Sequence, residues 1–110
     1  PNGKGVMSVT GYKLQSFAGI LLGQMYLEES DWNSAALELE EALRAAVEAT
    51  LQSKRFFSAY IQLGMAHYNL QNWCEASSSW RAAQKMGKKY GFSLPDALKE
   101  PMEFAQSKSN

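Results

Sequence analysis

Two stretches of this chain are one pattern written twice, and that duplication restricts the available folds more than any other feature. "LLGQMYLEESDWNSAALELEEA" runs from Leu21 to Ala42, and "QLGMAHYNLQNWCEASSSWRAA" from Gln62 to Ala83. At an offset of 41 residues Ile20 falls on Ile61, Leu22 on Leu63, Gly23 on Gly64, Trp32 on Trp73, Ala35 on Ala76 and Ala42 on Ala83. Looser matches at the same offset join Tyr26 to His67, Asp31 to Asn72 and Leu39 to Trp80. A repeat of this length is one supersecondary unit, and such units bury their apolar faces against one another.

The units are helical. No proline stands between Tyr12 and Met86, and Ala, Leu, Glu, Gln and Met dominate, so long helices are permitted. Helices are expected over 12–29, 32–53, 56–70 and 73–89, with a short fifth over 95–107. Asp31 is placed to cap the second helix, and Asn72 followed by Glu75 reads as a capping box for the fourth. Lys85, Lys88 and Lys89 suit a helix C-terminus, and Gly91 a left-handed stop. Pro95 fits the first turn of the last helix, whereas Pro101 requires that helix to be short or kinked.

In the second helix Trp32, Ala35, Ala36, Leu39, Ala42, Leu43 and Ala46 form one apolar stripe, opposed by Glu38, Glu41, Arg44 and Glu48. "FAGILLGQMYL" and "FFSAYIQLGMAHYNL" are instead apolar nearly all round, so the first and third helices should be covered on more than one side. Alternation of sandwiched and one-sided helices is what stacked hairpins produce. The expected fold is all-α, with two stacked antiparallel helix hairpins (12–53 and 56–89) and a C-terminal capping helix (95–107). Residues 1–11 read as a disordered or tag-like leader, or as the cut end of a longer chain.

Within each unit the order is Leu-Gly-x-x-aromatic, then Ala-x-x-x-large, then a further small Ala. This pattern resembles the tetratricopeptide repeat. The resemblance covers about residues 16–87. It departs from the family in its period, 41 residues rather than 34, in Gly19 where Tyr60 supplies the family's large residue, and in lacking the closing proline. Seven residues are about two helical turns, so the excess is expected inside the second helix without rotating its apolar face. The resemblance implies a protein–protein interaction module, with a concave groove for an extended or helical peptide. It places Gln24, Leu27, Glu28, Gln62, Met65, Tyr68 and Asn69 along that groove. Some family members clamp an acidic C-terminal tail there with Lys, Arg and Asn. Of these only Asn69 is present, and Glu28 opposes such a tail.

Catalytic chemistry finds little purchase. His67 is the only histidine and falls on the packing position held by Tyr26, so it is expected in the core, where tyrosine would replace it. A small helical enzyme or ligand carrier built around it is the weaker alternative. Cys74 is the only cysteine, which excludes an internal disulfide and favours a reducing, cytoplasmic setting. Its thiol has no fixed base nearby in sequence. The acids from Glu28 to Glu48 and the cations Arg81, Lys85, Lys88 and Lys89 read as solvated helix surface. No phosphate loop, nucleophile elbow or zinc motif is present, so no cofactor, metal site or catalytic residue is expected. Eleven basic residues balance eleven acidic ones, which argues against nucleic acid or an anionic membrane as partner. The longest apolar run is too short to span a membrane.

Two repeats are fewer than a stack usually needs to bury its core. The first helix is therefore expected to leave an apolar side open and to form a homodimer, with Phe17 and Leu21 among the buried residues.

Overall fold

The computed structural model describes residues 8–51 and 53–109. Five α-helices follow in order: α1 (Val9–Glu28), α2 (Trp32–Glu48), α3 (Lys54–Asn69), α4 (Trp73–Tyr90) and α5 (Lys99–Ser109), with a 3-10 turn at Asp96–Leu98 before α5. Helices adjacent in sequence pack on one another, α1 with α2, α2 with α3, α3 with α4 and α4 with α5. The described chain is an all-α stack of two hairpins closed at one end by α5.

The duplication seen in the sequence is also a duplication of geometry. A Cβ added at Gly23 would lie 2.6 Å from Leu39 Cγ, and one added at Gly64 would lie 2.2 Å from Trp80 Nε1. Both glycines thus stand where the two helices of a hairpin cross, and each faces the large residue of the following helix. Ala35, Ala42, Ala76 and Ala83 are fully buried. The joints repeat as well. Ser30 and Gln71 close the first helix of each hairpin at φ +59° and +64°, and Thr50 and Gly91 close the second at +53° and +82°. Asp31 N donates to Tyr26 O as Asn72 N does to His67 O, and Leu51 N donates to Ala46 O as Phe92 N does to Gly87 O. These amides reach back to carbonyls that a helix end leaves free.

Two clusters form the core. The first joins both hairpins through Ile20, Leu39, Leu43, Phe56, Ala59, Leu63 and Ala66. The second gathers Ala76, Trp80, Leu98 and Ala105 where α5 covers α4. Trp80 Nε1 donates to Ile61 O at 3.0 Å, so burying this indole leaves its one polar atom satisfied.

Several expectations are corrected. Helix α2 stops at Glu48, not Ser53, so part of the added length lies in the connection to α3. Helix α3 starts at Lys54, two residues early, with Ser53 Oγ accepting from Arg55 N at 3.2 Å. Asp31 caps α2 as expected, accepting from Ser34 N at 3.2 Å, but Asn72 makes no side-chain capping bond. Pro101 lies in the first turn of α5, where an amide has no partner within its own helix, so no kink results. Pro95 precedes the 3-10 turn rather than entering a helix. Of the expected leader, Val9–Gly11 are already helical, with Ser8 Oγ accepting from Gly11 N; residues 1–7 lie outside the described residues. Helix α1 does leave an apolar side open, as expected: Leu14, Leu21, Leu22 and Met25 are exposed.

Candidate binding groove

Stacking the hairpins brings α1 and α3 side by side, and Gln24 Nε2 donates to Gln62 Oε1 at 3.4 Å between them. Next to this link lies an open groove of about 430 Å³. Phe17, Ile20, Leu21 and Gln24 form its α1 wall, and Lys54, Arg55 and Ser58 its α3 wall. Phe17 stacks on Phe56 with ring centroids 5.7 Å apart and planes 10° from parallel. The Arg55 guanidinium carbon sits 4.7 Å from the Phe17 centroid, a cation over an aromatic face.

The α1 wall of the groove is therefore largely apolar and the α3 wall positive. Lys54 and Arg55 occupy the first turn of α3, where the helix dipole adds to their charge. Among the described residues the carboxylates close to a basic side chain are Glu41, paired with Arg44, and Glu40, hydrogen-bonded to His67, so neither groove cation is neutralised by a carboxylate.

The residues that the resemblance implied divide into three sets. Gln24 lines the groove and Gln62 borders it. Glu28, Met65 and Asn69 are exposed, and Asn69 Nδ2 donates to Met65 O one turn back. Leu27 packs against the first core cluster. Tyr68 packs among Trp73, Trp80 and Phe104, with centroids 5.2, 5.6 and 6.1 Å away, between the second hairpin and α5. Sequence reasoning missed Lys54 and Arg55 because it began α3 at Phe56. Ser53 ahead of Lys-Arg was the available signal, a serine able to cap a helix starting one residue later.

No matching family model, curated protein or solved structure was found for this chain.

His67 is buried, as expected, but as a hydrogen-bonding residue. Its Nε2 lies 3.0 Å from Glu40 Oε2 and its Nδ1 lies 3.2 Å from Asn72 Nδ2. An amide NH₂ only donates, so with this assignment of Asn72 Nδ1 accepts, and Nε2 carries the proton donated to Glu40. Neither nitrogen is left to take a proton from a substrate. This contact also explains the missing cap, since the Asn72 side chain turns to the imidazole instead of the α4 amides. Among the described residues no group of three or more His, Cys, Asp or Glu is close enough to hold a metal ion, and no helix is long and apolar enough to cross a membrane. Cys74 is exposed, as are Arg81, Lys85, Lys88 and Lys89 along α4. Burial raises the Tyr60 phenol above its ordinary pKa of 10.

Proposed function

We propose that this chain is a protein-interaction module of tetratricopeptide-like design. It holds a peptide segment of a partner protein in the groove between α1 and α3 and carries out no chemistry. The observation that carries this reading is Arg55, without a carboxylate partner among the described residues and poised over Phe17 at the groove's edge. A ligand fitting that pair offers an apolar side chain to Phe17 and Ile20 and an acidic group to Arg55 and Lys54. Repeated joints and glycine crossings support the family reading, and the fully engaged nitrogens of His67 support a structural role for that residue. A cytoplasmic setting suits the exposed Cys74 thiol.

The test is fluorescence polarisation with two sets of short labelled peptides, one pairing Leu or Phe with Asp or Glu, the other pairing the same residues with Lys or Arg. The acidic set should bind better, lose affinity with added salt, and be released by Arg55→Glu without loss of helix content. Equal binding of the two sets, or binding indifferent to Arg55→Glu, refutes the proposal.

A further inference from the structure

The side of α1 turned away from α2 is a helix-packing surface that no helix among the described residues covers. At the 41-residue offset Ala18, Leu22 and Met25 correspond to Ala59, Leu63 and Ala66. In α3 those three are 0%, 6% and 0% exposed, in the core cluster shared with α2. In α1 Leu22 and Met25 are 42% and 57% exposed, and Ala18 is exposed too. The surface is also wider than its counterpart, because Leu14 and Leu21 stand where α3 has Arg55 and Gln62. Leu14, Ala18, Leu21 and Met25 follow one another at steps of four, three and four residues, the spacing that forms the seam between two helices lying side by side.

We infer that this seam joins α1 to α1 of a second copy of the chain, antiparallel, about a two-fold axis between Ala18 and Leu21. The four-three-four spacing reads the same in both directions, so Leu14 meets Met25 of the partner copy and Ala18 receives the partner copy's Leu21. Charge selects the antiparallel sense. Lys13 is the only charged side chain in the first half of α1, and Glu28 and Glu29 end it. An antiparallel pair sets these opposite charges, and the two helix dipoles, end against end, whereas a parallel pair sets like on like. Phe17, stacked inside its own chain on Phe56, stays outside this seam. The inference rests on the fold and not on the groove reading, although Leu21 borders both.

Sedimentation equilibrium across the micromolar range should give twice the chain mass. Leu21→Glu acts twice in a two-fold dimer and should raise the dissociation constant about a hundredfold or more, with helix content by circular dichroism unchanged because Leu21 is exposed in the monomer. Arg55→Glu should leave the mass at the dimer value, so failure of the groove reading and failure of this one are told apart. Orientation is read by oxidation in a Cys74→Ser background. A mixture of Leu14→Cys and Met25→Cys chains should cross-link to each other and not to themselves, since like positions in the antiparallel pair lie about 16 Å apart along the axis. A monomer at every concentration, a dimer indifferent to Leu21→Glu, or cross-links between like positions overturns the inference.

Discussion

Thr50 closes α2 at φ +53°, a region where a β-branched side chain is strained. Its counterpart in the second hairpin is Gly91 at +82°, where the backbone has that freedom without cost from a side chain. Thr50→Gly should therefore stabilise the fold by about 0.5–1 kcal/mol, the relief of strain exceeding glycine's added freedom in the unfolded chain. Gly91→Ala should cost about 1 kcal/mol, although its Cβ would meet nothing within 4 Å, because the conformation itself is at fault. Urea midpoints at constant slope decide both. Tyr60 offers a pH test. Its phenol titrates higher in the folded state than in the unfolded one, so the folded chain holds the proton longer. That contribution is complete below pH 10 and is lost as the pH rises from 10 through the raised value. Tyr60→Phe should flatten the fall in stability above pH 10, compared by denaturant titration with the parent chain.

At the scale of the helices, the hairpin crossings are the tightest points. A methyl group at Gly64 would strike the Trp80 indole, which is pinned by its bond to Ile61 O, whereas one at Gly23 would strike the branched end of Leu39. Both alanine variants should lose stability, Gly64→Ala the more. Ala76→Leu should cost about 1–3 kcal/mol by overpacking, since Ala76 is fully buried in the second cluster; thermal or urea unfolding checks the order. These crossings were legible from the sequence, because small and large residues alternate there in the same order twice. Trp32 and Trp73 as helix starts and Gly91 as a left-handed stop were legible too; the joint between α2 and α3 was not. Helix α2 ends at Glu48 and its left-handed turn falls on Thr50 rather than on glycine, so no composition change announces it. Because α3 was begun at Phe56, the two cations of the groove fell outside any helix. Asn72 and Glu75 have the spacing of a capping box, yet the asparagine amide serves His67, a partner five residues back that cap rules do not consider.

Over the whole molecule, one side chain ties three helices together. His67 on α3 meets Glu40 of α2 and the Asn72 that begins α4. The position was readable as a packing site; its polar partners were not, since Glu40 is 27 residues away in sequence. Tyrosine is therefore no equal replacement. His67→Phe should cost about 1 kcal/mol, the net worth of the hydrogen bonds lost, since solvent reaches both Asn72 and Glu40, measured by urea unfolding. The repeated joints have a consequence at this scale too. Because residues 30 and 71, and residues 50 and 91, turn the chain in the same left-handed way, the 41 residues from Trp32 to Asn72 enter and leave the stack in matching orientation. Duplicating that segment in tandem would add a full unit rather than disturb one, with Gly64 meeting a second Leu39 in place of Trp80. The chain is thus built like a spliceable rod, which units can lengthen between its ends while α5 goes on closing one of them.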